Sequence, residues 1–523
     1  MRKRAAFFIR PALALFLASL TFAGVQKGGT STAGSGPATA AQPPVLVIPG
    51  IMGSFSSCLF VDPASGKACP AQQEFTLGGG LDSIDLTPQW VLDPISIPPI
   101  KTPTYDSLVE ALQNAGLQVF PAPYDWRQEN QVTAATTLAG IIQSAKQQTG
   151  SDTVDIVAHS MGGLVVRSYI EQLNKSDVRK FIMLGTPNRG SAEAYYEWEG
   201  GDFSVSGFET EIIFIYPLVE DMKIGYGCQN MPDYQFIEQK IPAARQLLPI
   251  DTYVFRKNSL TGKYKPVPVT SMHWQNNLIP ALNYNILISN LALSNIMIFA
   301  GTDSNLDDTI ENIRVAPKVF GAQEWADGKP VSAIYGSGDG TVLLASVRLG
   351  DITVTQNTSD HDGLPDACKD DVVQFITGQS SATGIQKPGG STEKPSKPSL
   401  ESFLFIGTSS HIHMGITSGE NLRLGNFPAV QGKVAEFQNY YYRGNSKETA
   451  ALGLYNAVPG EYVLDVSTDE PSEDYDIYIS YFDRNGKRKN ELQGRVSSGN
   501  AATYVIKIDN ELLLLPSKGY EPQ

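Results

Sequence analysis

The stretch VDIVAHSMGGLVVRSYI, residues 154–170, constrains the fold more than any other in this chain. Val154, Ile156 and Val157 read as a buried strand, and Leu164, Val165, Val166, Tyr169, Ile170 and Leu173 recur at helical spacing. Only residues 158–163 separate the two patterns, so an apolar strand must turn directly into a helix. A turn that tight admits only small residues and lifts the side chain at its apex, Ser160, out of the sheet. Ala158 stands where the motif G-x-S-x-G has its first glycine, and a methyl group keeps the steric requirement.

A strand feeding a helix in this way belongs to a parallel sheet covered on both faces, and the flanking sequence repeats the pattern. VLVI (Val45–Ile48), LQVF (Leu117–Phe120) and FIML (Phe181–Leu184) read as buried strands; residues 105–115 and 134–148 read as helices. From about residue 191 to 294 the alternation fails, and this stretch is expected to be an insertion that caps the sheet. Regular patterning returns with IMIFAG, VSAIYG, DITVT and a closing helix, DVVQFITG. Residues 378–399 form a Gly, Ser, Pro and Lys linker with little to bury, and residues 400–523 alternate at period two between turn signals. The expected organisation is a leader over 1–24, a flexible segment over 25–43, an α/β domain over 44–377, the linker, and a small all-β, sandwich-like domain over 400–523. Every candidate catalytic residue precedes residue 378, so the β domain is expected to be dispensable for chemistry.

Arg2, Lys3, Arg4 and Arg10 precede the run ALALFLASLTFAGV, the pattern of a secretory signal peptide, which predicts a secreted or extracytoplasmic protein. Export admits disulfides among Cys58, Cys69, Cys228 and Cys368, with Cys58–Cys69 the simplest pairing and Cys228–Cys368 its complement. The formal net charge of -14 makes nucleic acid and anionic membrane surfaces poor electrostatic partners.

A nucleophilic serine needs a base, an acid to orient that base, and two donors for the oxyanion. Of the five histidines, His159 adjoins Ser160, His273 lies in the insertion, and His411 and His413 lie beyond the linker. His361 remains, in NTSDHDGLPD before the closing helix, where the base of an α/β-hydrolase belongs in the order Ser, acid, His. The acid is Asp339, in the glycine-flanked turn YGSGDGTV, or Asp303, after IMIFAG; the Gly-Asp-Gly turn favours Asp339. The backbone N–H of Met161 follows the nucleophile and gives one oxyanion donor, and that of Ile51, in VIPGIMGS after the first core strand, gives the other. No cofactor is expected. The acidic loops TDSNLDDT and SDHDGLPD carry the oxygen ligands calcium takes, but neither matches EF-hand spacing.

VLVIPGIMGS, APYDWR, VAHSMGGLVVR, LGTPNRGS and GDGTV, in this order, resemble the lecithin:cholesterol acyltransferase and lysosomal phospholipase A2 family of α/β-hydrolases; IPAARQLLP is similar to its cap segment. The resemblance spans residues 44–377. It implies Ser160 as nucleophile, Asp339 as acid, His361 as base, and Ile51 and Met161 as oxyanion donors. It also implies cleavage of a fatty acyl ester and transfer of the acyl group to water or an alcohol. The sequence departs from the family in CLFVDPASGKACPAQ, shorter and less aromatic than the mammalian lid, and in the C-terminal β domain. The expected function is that of an exported serine lipid acyl hydrolase or O-acyltransferase working on a membrane, micelle or lipoprotein-like surface. The apolar insertion suggests salt-resistant binding to neutral or zwitterionic surfaces. The alternative is a catalytically inactive hydrolase-fold protein that binds or adheres through its β module.

Overall fold

The computed structural model describes residues 42–54, 79–80, 83–84, 105–203, 215, 219–220, 222–224, 226–284, 291–302, 309–378, 402–408, 410, 412–427, 433–437, 440–443, 451–455, 457–483, 486–509 and 511–516. The expected leader and N-terminal segment, Asp303, the linker, and the Cys58–Cys69 pairing lie outside these residues.

Strands β1 (Val45–Ile48), β2 (Val119–Pro121), β3 (Val154–His159), β4 (Val178–Leu184), β5 (Val254–Lys257), β6 (Tyr264–Pro266), β7 (Ile296–Gly301), β8 (Thr309–Val315), β9 (Pro330–Gly336) and β10 (Val354–Asn357) build two sheets. The main sheet has the order β10-β7-β4-β3-β1-β2, and all its pairings are parallel. Its strands are apolar on both faces because each face is covered. Leu46, Ile156, Phe181 and Ile298 pack into one core, while Val45, Val157, Ile182 and Phe299 pack into another on the opposite side. This is the α/β-hydrolase arrangement, with the helix Gly162–Arg167 leaving directly from β3. Among the described residues no helix is long and apolar enough to cross a membrane.

The region expected to be an irregular insertion supplies two strands of the second sheet, ordered β9-β8-β5-β6. VSAIYG becomes β9 of this sheet, antiparallel to β8, and not a strand of the main one. Sequence period alone cannot assign a strand to a sheet, since the partner is a long-range choice.

Cys228 and Cys368 are not joined in a disulfide, which corrects the expected pairing. Cys228 packs against the core on one face of the main sheet and Cys368 is buried in the core on the other, so the sheet stands between them.

The C-terminal residues form two antiparallel sheets, beginning with β11 (Ser402–Thr408). Alternation along β11 has an unexpected use. Leu404 and Ile406 face the core of the β sandwich, whereas Phe403 and Phe405 join the core of the α/β domain. Gln229 donates to the Tyr478 hydroxyl at 2.8 Å, and Glu220 accepts from Ser480 at 3.2 Å and meets Lys489 at 3.5 Å. The β domain is therefore packed onto the insertion.

Candidate active site

The elbow is held open by close packing. Ser160 has φ +52°, in the left-handed region that costs a non-glycine residue about 1–3 kcal/mol and persists only where neighbours impose it. Here the main chain of Ser160 is tied to β4 by its N–H bond to Leu184 O at 2.8 Å. A Cβ on Gly162 would lie 2.4 Å from the carbonyl oxygen of Pro49. Only glycine lets the helix start abut the Pro49–Ile51 loop, the proposed source of the second oxyanion donor.

Asp339 and His361 meet in this site. His361 Nδ1 and Asp339 Oδ2 are 2.8 Å apart, and both residues are buried. The other carboxylate oxygen of Asp339 accepts from the backbone N–H groups of Thr341 at 3.1 Å and Val342 at 2.7 Å, which fixes the side chain. The backbone N–H of His361 donates to Asp339 O at 2.9 Å, so main chain and side chain join the same two residues. Asp339 does not directly follow a strand of the main sheet. The chain leaves β7, makes the β8–β9 hairpin, and returns so that Asp339 Cβ would be 2.7 Å from a Cβ on Gly301, the last residue of β7.

Ser160, His361, Gly50 and Ile51 line one pocket. Met161 is buried at the start of the helix that follows Ser160. The pocket wall also carries Glu193 and Glu197, from the helix Glu193–Gly200, and Asp362. Burial pushes the Glu197 carboxyl up to about 7. For His361, burial favours the neutral ring, but the carboxylate of Asp339, with Asp362 and Asp360, outweighs it and leaves the imidazole above its ordinary value. Among the described residues no group of three or more His, Cys, Asp and Glu is arranged to hold a metal. In SDHDGLPD, the Asp360 carboxylate accepts from Gly363 N at 2.9 Å, which shapes the loop around His361.

Two residues of the site were not legible in the sequence. Tyr105, at the start of the helix Asp106–Asn114, accepts from Gly50 N at 3.2 Å and lies 2.8 Å from His159 Nδ1. His159 Nε2 in turn reaches His361 O at 3.0 Å. His159, unsuited as a base because it adjoins Ser160, thus underlies His361; no local signal ties it to a tyrosine 54 residues away. Burial, with the neighbouring His361, pushes its imidazole well below the ordinary value, so His159 is neutral.

The sequence motifs around the elbow also have structural tasks. Arg167, fully buried, bonds Glu171 at 2.8 Å and Asn188 Oδ1 at 2.9 Å, and Asn188 Nδ2 reaches Val347 O at 2.8 Å. This network joins VAHSMGGLVVR to LGTPNRGS and to the chain after Asp339. Such a constellation, a serine on a strained elbow beside a carboxylate-bound histidine, is suited to acyl transfer. Residues 62–212 match the lecithin:cholesterol acyltransferase family. The lecithin:cholesterol acyltransferase match includes Ser160 and the LGTPNRGS stretch, and ends before Asp339 and His361. No curated protein sequence matches the chain significantly. Solved structures similar to it include the Tle4–Tli4 complex, at 14% identity over 65% of this chain and 97% of that chain, with a TM-score of 0.37. They also include the propeptide form of Bacillus licheniformis lipase BlEst2, at 12% identity over 91% and 96% of the two chains with a TM-score of 0.31. Phospholipase PlaB from Legionella pneumophila is similar at 11% identity over 92% and 98%, with a TM-score of 0.29.

Proposed function

We propose that the chain is an exported serine lipid acyl hydrolase or O-acyltransferase, with Ser160 as nucleophile, His361 as base, Asp339 as its orienting acid, and the N–H groups of Ile51 and Met161 as oxyanion donors. The observation that carries this reading is the 2.8 Å bond between His361 and Asp339 in a pocket that Ser160 also lines. In the first half-reaction Ser160 Oγ attacks the ester carbonyl carbon while His361 Nε2 takes its proton. The carbonyl oxygen becomes an oxyanion facing the two N–H donors, and losing one such donor costs about 10²–10³ in turnover. Collapse breaks the ester bond, and the imidazolium gives its proton to the departing alcohol. Water or an alcohol then attacks the acyl-enzyme with its proton passing to His361, which frees the fatty acid or a new ester and restores Ser160.

The match to the lecithin:cholesterol acyltransferase family supports a lipid ester as substrate, and the basic and apolar N-terminus supports export. The tests are labelling with a fluorophosphonate and, on separate unlabelled protein, incubation with vesicles of phosphatidylcholine and phosphatidylglycerol with and without an added alcohol. Ser160→Ala is expected to abolish labelling and release of fatty acid together. Labelling that persists in that variant defeats the assignment, and an acylated alcohol among the products distinguishes transfer from hydrolysis.

A further inference from the structure

Among the described residues, three of the exposed apolar side chains, Leu260, Val319 and Phe320, lie at one end of the second sheet. β5 and β8 are parallel neighbours, with Val315 opposite Arg256, so the chain segments after both strands leave the sheet at the same end. One is the β5–β6 hairpin tip, which carries Leu260 at 96% of full exposure. The other is the loop of residues 316–329 between β8 and β9, which carries Val319 at 67% and Phe320 at 103%.

Both tips are built. Asn258 Oδ1 accepts from the N–H groups of Leu260 at 3.0 Å and Thr261 at 2.9 Å, and Asn258 N donates to Lys263 O at 2.8 Å. In the other loop Ala322 N donates to Val319 O, and Gly321 has φ +79°, which places Phe320 at the apex of a β-turn whose next position requires glycine. The base of this loop is anchored by Trp325, whose N–H donates to Glu199 O at 2.8 Å and whose ring packs on Tyr195 and Tyr196. Those residues belong to the helix Glu193–Gly200, which lines the pocket of Ser160.

The charge around the tips opposes that of the whole chain. Residues 252–266 and 312–323 hold Arg256, Lys257, Lys263, Lys265, Arg314 and Lys318 and no Asp or Glu, in a protein of net charge -14. The nearest acids in the loop are Glu324 and the buried Asp327, which takes Lys318 at 3.6 Å and Arg256 at 3.5 Å. Lys257, Lys263 and Lys265 are exposed. A field is felt over about a screening length of 8–10 Å, so this patch, and not the net charge, decides what approaches it.

We propose that Leu260, Val319 and Phe320, ringed by Lys257, Lys263, Lys265 and Lys318, form a docking surface for a bilayer carrying anionic headgroups. Apolar apexes enter the boundary between headgroups and acyl chains while lysines meet the phosphates. A polyanion such as heparin fits less well because it offers the two apexes nothing to bury them. This surface goes beyond the acyl chemistry of Ser160, and its test needs no turnover.

The test is flotation of the full chain with phosphatidylcholine vesicles, with and without phosphatidylglycerol, at low salt and at about 0.5 M salt. Binding is expected to need phosphatidylglycerol and to fall with salt. Leu260→Ser with Phe320→Ser is expected to weaken it roughly tenfold or more. Lys257→Glu with Lys263→Glu and Lys265→Glu is expected to weaken it as much and to flatten the salt dependence. The substituted side chains are exposed, so Tm should hold; should one variant unfold, the other decides. Wild-type protein that does not float with phosphatidylglycerol vesicles at low salt, or variants that float like wild type, overturn the proposal. Heparin binding as tight as vesicle binding, and untouched by the Leu260 and Phe320 changes, would overturn it in favour of a polyanion surface.

Discussion

The Nε2–H of His159 donates to the main-chain carbonyl of His361 across 3.0 Å, directly beneath the histidine that Asp339 holds. A carbonyl can only accept, so Nε2 carries the proton of the neutral ring and Nδ1 is left to accept from Tyr105, whose hydroxyl takes the N–H of Gly50. The donors run in one direction from the Gly50–Ile51 loop to His361. His159, beneath His361, and the loop beside Ser160 are held by one chain of hydrogen bonds.

This chain makes a prediction with two separable variants. His159→Asn keeps an acceptor near the position of Nδ1 but loses the donor to His361, and His159→Gln does the reverse. Loss of one such hydrogen bond, at about 1 kcal/mol, is expected to lower kcat roughly fivefold to tenfold in His159→Asn with KM little changed, while His159→Gln recovers most of the loss. Tyr105→Phe, which removes one oxygen from a buried site, should lower kcat less. Steady-state rates on a soluble ester check this, and equal kcat in His159→Asn and wild type would refute it.

The second prediction concerns pH. As the proposed base, His361 must be neutral to accept the proton of Ser160, and its carboxylate neighbours outweigh burial and raise its pKa. The acid limb of kcat/KM is therefore expected to fall above the ordinary imidazole value of about 6.5. Asp362→Asn removes one of the raising charges and should move the limb toward lower pH with activity kept, while Asp339→Asn should cost several orders of magnitude in kcat. A limb unmoved in Asp362→Asn, measured as a full pH–rate profile, counts against this electrostatic account.

The main sheet and the elbow were legible because their signals are local: apolar strands, a six-residue turn, and a helix in unbroken succession. Ser160 is a candidate from that elbow and His361 from elimination among five histidines and its place in the chain, while Asp339 is favoured over Asp303 only by its Gly-Asp-Gly turn, because both follow strand-like runs. The return of Asp339 to the end of β7 through the β8–β9 hairpin is a long-range path with no local signature. Net charge is silent on the proposed docking surface for a related reason. A sum of -14 hides a patch of six basic residues that two distant segments bring to one sheet end. The same limit applies to Phe403 and Phe405, whose period-two pattern fits an exposed face as well as a buried one until the insertion is placed against them.

Stability should also depend on pH, through Glu199. Burial pushes its carboxyl up to about 9, while its Oε2 accepts from Asp327 N at 2.8 Å. In the unfolded chain a glutamate loses its proton near its ordinary value of about 4.3. The folded state therefore binds more protons over the window from there to about 9, and stability falls as pH rises through it. Tm is expected to decline from pH 5 toward pH 9, and Glu199→Gln, which keeps an acceptor but cannot ionise, should flatten the decline. Parallel Tm curves for the two proteins over this range would remove Glu199 as the cause.

The last prediction concerns the β domain. Sequence alone treats it as an appendage beyond a linker, and a chain ending near residue 380 is then expected to hydrolyse a soluble ester normally. In the structure Phe403 and Phe405 are buried in the same core as Ile215, Val219, Met222 and Ile224 of the insertion, and a Cβ on Gly407 would lie 2.6 Å from Ile224. Beside them lies a buried ionic cluster. Lys223 reaches Asp233 at 2.6 Å and Glu220 at 3.6 Å, and Glu220 is closed from the other side by Ser480 and Lys489. Removing the β domain would leave this apolar surface and a carboxylate stripped of two partners facing water. A buried phenylalanine cut to alanine costs about 3–5 kcal/mol, so Phe405→Ala alone is expected to lower the unfolding free energy by several kcal/mol. A chain truncated near residue 380 is expected to be aggregation-prone, with its insertion readily cleaved by protease, even though Ser160, Asp339 and His361 are all retained. Limited proteolysis of both proteins, with the insertion fragments identified by mass, measures this. A truncated chain that stays monomeric, resists cleavage within residues 191–294 and matches the full chain in kcat would show that the contact is passive and the sequence boundary sufficient.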